Sequence, residues 1–178
     1  MVRWSIAGLI LLLARSSGVA LASPANQDTG AADVRPCSAS DLDASAGWQG
    51  ATGSMLGGVV FTNRSSDPCL LTGRPVVQIV DGQGEPLPVV QTIGRDESPG
   101  VLVIVQPQEQ AFASIHWWPQ WCQPSPVPPL TLHLRLPGGS ELVAPVRNGG
   151  TPRCDAPERM TTNSVINVGT FQWPPNAR

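Results

Sequence analysis

Seven residues, Leu130-Thr131-Leu132-His133-Leu134-Arg135-Leu136, alternate strictly between apolar and polar side chains. Successive side chains of a β-strand point to opposite faces, so this period of two predicts a strand. Its leucines would face a core, while His133 and Arg135 would face solvent. Pro137-Gly138-Gly139 follows at once and predicts a turn.

The same alternation, or a short β-branched run, recurs along the chain. The predicted strands are 42–48, 55–62, 76–80, 87–93, 101–105, 111–118, 130–136, 141–146 and 165–172. Asp81-Gly82-Gln83-Gly84 predicts a hairpin that pairs the third of these segments with the fourth. Gly57-Gly58 predicts either a bulge or a close backbone contact. Eight or nine short strands separated by turns predict an all-β protein, an antiparallel β-sandwich.

The composition agrees with a single β-rich domain and excludes two classes of protein. The 178 residues include 18 Gly and 19 Pro, which disfavours long helices. Apolar residues make up 41% of the chain, so it is not a disordered chain held open by charge repulsion. The formal net charge of −2 lacks the basic surplus that a nucleic-acid binder needs. We assign the domain to residues 37–173 and a short tail to 174–178.

Residues 1–22 have the pattern of a signal peptide. Arg3 precedes an apolar run, and Ala20-Leu21-Ala22 is the small-x-small motif of a cleavage site, which makes Ser23 the first mature residue. The apolar run, residues 4–14, is too short to cross a bilayer, so we expect no membrane span in the mature chain. Residues 23–36 are small and polar and predict a flexible lead-in. The protein is therefore expected to be secreted, either extracellular or cell-wall associated.

The four cysteines, Cys37, Cys69, Cys122 and Cys154, all follow the predicted signal peptide. An even number of cysteines in an exported chain favours two disulfides over free thiols. A zinc site would need closely spaced pairs, which the sequence lacks. Two equal separations of 32 residues suggest sequential pairing, but three pairings stay open.

The segment His116-Trp117-Trp118-Pro119-Gln120-Trp121-Cys122 concentrates aromatic side chains. Alternation places Trp117 on the core side of its strand, with His116 and Trp118 pointing outward and Trp121 in the following loop. Exposed indoles suit stacking on sugars or an apolar contact with a partner. His116, Trp118 and Trp121 are therefore the candidate contact surface, which His116 would tune near its usual titration range of about pH 6–7. Packing of the whole cluster in the core is the alternative.

The residues that could carry catalysis form no recognisable pattern. The nucleophile motif G-x-S-x-G is absent, and the cysteines are expected to be oxidised. Only His116 and His133 could act as imidazole ligands, and their spacing supports no metal site. Asp41 and Asp43 are predicted to share a solvated strand face. We expect no catalytic residue, no metal and no cofactor.

Residues at strand ends and turns resemble those of a known family. They are Cys37-x-x-x-Asp41-Leu42, Phe61-Thr62-Asn63, Cys69-x-Leu71-x-Gly73-x-Pro75, Asp81-x-x-Gly84 and Cys154-Asp155-Ala156-Pro157. This pattern is similar to the secreted bacterial domain of unknown function 4232. The resemblance implies an immunoglobulin-like sandwich, export, and the disulfides Cys37–Cys69 and Cys122–Cys154. Since the family has no established activity, it implies no active site.

The expected function is a non-catalytic secreted module that binds an unknown protein or cell-envelope ligand. The alternative is a secreted enzyme of the hydrolase type with an unrecognised site. An exposed aromatic patch would favour the module. A cleft with convergent histidine and carboxylate groups would favour the enzyme.

Overall fold

The computed structural model describes residues 34–51, 53–93, 100–119, 126–151 and 164–175. A 3-10 turn, Ala39–Asp41, precedes ten strands. The strands are β1 (Leu42–Ala51), β2 (Ser54–Asn63), β3 (Cys69–Leu71), β4 (Val76–Val80), β5 (Val89–Thr92), β6 (Val103–Val105), β7 (Gln110–Trp118), β8 (Thr131–Arg135), β9 (Glu141–Asn148) and β10 (Ser164–Gln172). The all-β prediction is confirmed, and each of the nine predicted segments overlaps one strand. The short strand β3 was not predicted.

Eight strands form one continuous sheet in the order β4-β8-β9-β1-β2-β7-β10-β5, and β3 pairs with β6 separately. The prediction of a purely antiparallel arrangement is wrong, because β1 pairs with β9 and β5 pairs with β10 in parallel. Parallel neighbours need a long connection between the paired strands. The alternation within a strand carries no information about which distant strand lies beside it.

The predicted hairpin between β4 and β5 forms only at its turn. The backbone N–H of Asp81 donates to the carbonyl of Glu85 at 3.0 Å, and a single bridge joins Val80 to Pro86. Beyond this bridge, β5 leaves β4 and pairs with β10 at the opposite edge of the sheet. The pairing predicted for these strands is therefore wrong, although both strands exist.

The amide of Gln91 joins the two edges of the sheet. It accepts a hydrogen bond from the backbone N–H of Val77 at 2.8 Å and donates to the carbonyl of Pro75 at 3.0 Å. The Gln91 side chain on β5 thus forms the two hydrogen bonds with the backbone at β4 that a peptide group of a neighbouring strand would otherwise form. This contact brings the first and last strands of the curved sheet together.

The core lies on the inner face of this sheet. Trp117 and Trp48 pack edge to face with ring centroids 5.4 Å apart, and both side chains are buried. Phe61 and Phe171 form a second such pair at 5.2 Å. All four leucines of the segment 130–136 are buried, while His133 and Arg135 are exposed as predicted.

The disulfide Cys37–Cys69 ties the N-terminal end of the domain to β3, with an S–S distance of 2.05 Å. Arg35 forms a bidentate ion pair with Asp41 at 2.6 and 2.8 Å. Arg35 lies at the end of the segment predicted as a flexible lead-in (23–36), and this ion pair holds it against the domain. Asp41 is buried in the 3-10 turn, whereas Asp43 is exposed on β1. The prediction that the two carboxylates share a strand face is therefore wrong.

Candidate functional site

The predicted division of β7 into an inner and an outer face is confirmed. Trp117 is fully buried, and its indole N–H donates to the hydroxyl of Ser164 at 2.7 Å. His116 and Trp118 lie on the opposite face and are half-buried. Period two alone was enough to separate these three neighbouring side chains.

His116 and Trp118 stack on one another, with ring centroids 3.5 Å apart. Residues i and i+2 of a strand share a face, which brings the two rings together. Partial burial lowers the pKa of His116 below its ordinary value of 6.5. The imidazole is therefore neutral over more of the pH range than its unperturbed titration predicts.

Neighbouring strands extend this outer face with apolar side chains. Leu56 on β2 lies directly opposite His116, and Val165 on β10 lies opposite Trp118. Val90 on the edge strand β5 lies next to Val165. Leu56 and Val90 are 41% and 48% exposed. We call these five residues the His116–Trp118 patch.

Three of these five residues were not predicted as site residues. Leu56, Val165 and Val90 come from three different strands, so only the register places them beside the aromatic pair. The local sequence signal is an apolar residue at an outward position of its strand. That signal has meaning only after the strand order is known.

A glycine beside β7 fixes the position of another outer-face ring. A Cβ built on Gly58 would overlap the ring of Phe112, so that ring lies directly over the glycine. The ladders of β2 with β1 and β7 run through Gly57 and Gly58 without a register shift. Of the two predicted alternatives, the close contact is confirmed and the bulge is wrong.

Phe112 also forms one wall of an open groove at the far end of the outer face. The groove has a volume of about 760 Å³. Its lining residues are Val60, Gln108, Glu109, Gln110, Phe112, Trp173, Pro174 and Pro175. Trp173 is 46% exposed. We call this feature the Trp173 groove, and its two prolines belong to the segment that the sequence analysis assigned to the tail.

A second concave surface lies on the outer face of β4, β8 and β9. It is a shallow cavity of about 400 Å³ that includes His133, Arg135 and Glu141. Arg135 and Glu141 lie opposite each other on neighbouring strands. The surface combines an imidazole, a guanidinium and a carboxylate, a combination that can bind polar ligands or move protons.

Several predicted site residues lie outside the described residues. They are Trp121, Cys122 and Cys154. In the segments that the structure covers, no group of three or more histidine, cysteine, aspartate or glutamate side chains could hold a metal ion. No helix in those same segments is long and apolar enough to cross a membrane.

One family model matches most of the chain. It is described as a domain of unknown function (DUF4232), and the match covers residues 37–172. These limits agree with the structured region and with the resemblance seen in the cysteine and turn residues. No curated protein and no solved structure matches the chain.

Proposed function

The chain belongs to the DUF4232 family, and from this premise we propose that it is a secreted, non-catalytic β-sandwich module. In this proposal the module binds a protein or a cell-envelope component. Its contact surface is the His116–Trp118 patch, extended by Trp121.

The observation that carries the proposal is the stacked pair of His116 and Trp118 on the outer face, beside the apolar side chains of Leu56 and Val165. Aromatic side chains at the centre of an apolar patch are typical anchors of protein interfaces. Stacking reduces the freedom of the Trp118 ring before any partner arrives, which lowers the entropic cost of binding. Leu56 and Val90 enlarge the apolar area that a partner would cover.

The test compares binding by the purified protein and its Trp118→Ala variant. The probe is the isolated envelope fraction of the producing cells, and the readout is co-sedimentation. We expect Trp118→Ala, and likewise Trp121→Ala, to weaken binding by about tenfold or more while the melting temperature stays nearly unchanged. Val143→Ala is the matched control, because Val143 is 54% exposed on a different part of the sheet.

Equal binding by the protein and both tryptophan variants would remove the patch from the proposal. Unfolding of Trp118→Ala to the extent expected for a core residue would assign the cluster to the core instead. Either result contradicts the proposed contact surface.

The proposal includes an immunoglobulin-like sandwich with a second disulfide, Cys122–Cys154. Support comes from the family resemblance and from the Cys37–Cys69 bond, which is the first of the two sequential pairs. Peptide mapping without reduction tests the second bond. A peptide that links Cys69 to Cys122 would contradict it.

Export is part of the same proposal. It rests on the apolar run and the Ala20-Leu21-Ala22 motif near the N-terminus. N-terminal sequencing of the secreted protein should read Ser-Pro-Ala-Asn. A membrane-bound product that keeps Met1 would contradict cleavage after Ala22.

The alternative, a hydrolase-type enzyme, is favoured by one observation: the concave surface that holds His133 and Glu141. Among the residues that the structure describes, its lining contains no serine, threonine or cysteine that could act as a nucleophile. A hydrolase there would have to activate water by acid–base catalysis. Hydrolysis of an ester or glycoside probe that is lost in both His133→Ala and Glu141→Gln would support the enzyme over the module.

A further inference from the structure

The Trp173 groove is bordered by a turn with an unexpected residue. The backbone N–H of Glu109 donates to the carbonyl of Gln106 at 2.9 Å, which closes a four-residue turn with Pro107 and Gln108 at its centre. Gln108 has a φ of +66°, in the left-handed region that favours glycine. In a type II turn, proline is common at the first central position and glycine at the second. Here glutamine occupies the glycine position.

The neighbouring strand end holds Gln108 in this conformation. Its backbone N–H donates to the carbonyl of Asn63 at 2.8 Å, and its side-chain oxygen accepts from Arg64 at 3.0 Å. Asn63 is itself buried and donates to the carbonyl of Val105 at 2.9 Å. A glycine would satisfy the turn at lower conformational cost. The Gln108 side chain lines the groove. Because unfavourable backbone conformations cluster at functional sites, its conformation indicates a role there.

The rest of the groove offers aromatic and amide groups on one open surface. The Phe112 ring is fixed above Gly58, while the Trp173 indole stays 46% exposed. Gln110 adds a second amide near Gln108. The volume of about 760 Å³ lies in the range of roughly 300–1,000 Å³ that is usual for ligand pockets.

We propose that the Trp173 groove binds a neutral saccharide. The apolar C–H face of a sugar ring would stack on the indole of Trp173 and on Phe112, since aromatic rings provide broad apolar surfaces. The side-chain NH₂ of Gln108 and the side-chain oxygen of Gln110 would bond the hydroxyl groups of a sugar. The Gln108 oxygen already accepts from Arg64, and the Gln110 NH₂ donates to Thr62 at 3.4 Å.

Charge selects a neutral sugar over an anionic one. Glu109 is the one charged residue among the groove-lining side chains that the structure describes. An anionic sugar would meet this carboxylate without a cation from the lining to offset it, and like charges repel. Arg64, the nearby cation, already donates to Gln108 and to Asp43.

This site goes beyond the proposed function and does not depend on it. Phe112 and Trp118 are six positions apart on β7, which corresponds to about 20 Å along a strand. A variant in one site is therefore a control for the other. Failure of the His116–Trp118 patch as a contact surface would leave the groove untouched.

The test titrates the purified protein with chitotriose, cellotriose and maltotriose and follows binding by calorimetry. We expect at least one of these neutral probes to bind with a Kd of about 1 mM or tighter. Trp173→Ala should weaken that binding by about tenfold or more, whereas Val143→Ala, at an exposed residue outside the groove and the patch, should leave it unchanged.

Gln108→Gly separates a ligand-binding role from a structural one. Glycine relaxes the turn, so the melting temperature should stay equal or rise, while affinity for the saccharide falls by about tenfold. Absence of binding by all three probes at about 10 mM would overturn the proposal. So would unchanged affinity in Trp173→Ala or Gln108→Gly, or binding of an octaproline peptide in place of the sugars.

Discussion

The two faces of β7 alternate residue by residue and yet meet opposite surroundings. Its inner side chains, Ala111, Ala113, Ile115 and Trp117, are all buried, whereas the outer ones are half-buried or, at Gln110, exposed. The inner face packs against the core, and Trp117 contacts Trp48 there. Among the residues that the structure describes, the outer face of β7 is covered by its own stacked rings and by side chains of β2 and β10. Adjacent tryptophans of equal hydrophobicity thus differ because different layers of the molecule lie against them.

The largest expected effect comes from truncating the inner tryptophan. Trp117→Ala should lower the free energy of unfolding by about 3–5 kcal/mol, because it leaves a cavity beside Trp48. It also removes the donor to Ser164 Oγ. Urea denaturation measures the loss, and Trp118→Ala is the control, with an expected change below about 1 kcal/mol. Equal losses in the two variants would contradict the division of β7 into two faces.

A smaller effect is expected where the outer face is tightly packed. Gly58→Ala should cost about 1–3 kcal/mol, because the added methyl group overlaps both the ring of Phe112 and the backbone carbonyl oxygen of Ala113. Gly138→Ala is the matched control, since a Cβ there meets no atom within 4 Å.

A double-mutant cycle with Phe112→Ala isolates the cause of this loss. In the absence of the ring, Gly58→Ala should cost less than in the parent protein, and the cost that remains comes from the backbone carbonyl oxygen of Ala113. If the two losses simply add, the ring does not limit the space above Gly58.

The smallest effect concerns pH and tests the outer face directly. Because burial lowers the pKa of folded His116 below 6.5, the unfolded chain binds a proton more readily than the folded one. The stabilising contribution of neutral His116 is therefore present above about pH 6.5 and declines as the pH falls through this value. Stability of His116→Gln should depend less on pH between about pH 7 and 5.

Thermal unfolding at a series of pH values measures this difference. His133→Gln is the control, because that side chain is exposed on β8. The same pH dependence in the parent protein and in His116→Gln would show that the outer face does not desolvate this imidazole. The pKa shift also corrects the expectation that His116 would titrate in its ordinary range.

The local sequence was sufficient to predict where most strands lie and which side chains of β7 face inward or outward. Leu130 to Leu136 and Ala111 to Trp118 have apolar residues at every second position, and those residues are buried in the core. It was insufficient for β3, whose three residues are too few to show a period. It also misassigned Asp41, because a short 3-10 turn and a strand cannot be told apart over so few residues.

The two candidate sites differ in how far the sequence could indicate them. The aromatic pair of the His116–Trp118 patch lies within one strand, and its sequence spacing already places both rings on one side. The Trp173 groove combines the turn before β7 with the chain after β10. The two segments meet because Gln172 on β10 pairs with Phe112 on β7. This pairing joins distant parts of the chain, so neither segment by itself indicates that it lies beside the other.

The sequence by itself determined the all-β class and which side chains of β7 and β8 face the core, because a strand has a period of two wherever it lies. The partners of each strand were decided only by the tertiary structure. The side-chain amide of Gln91 holds β5 beside β4, but the two strands share no backbone ladder there. The backbone hydrogen bonds of β5 are formed with β10 instead. Strand order depends on packing between segments far apart in the chain, and period two is the same for every possible neighbour.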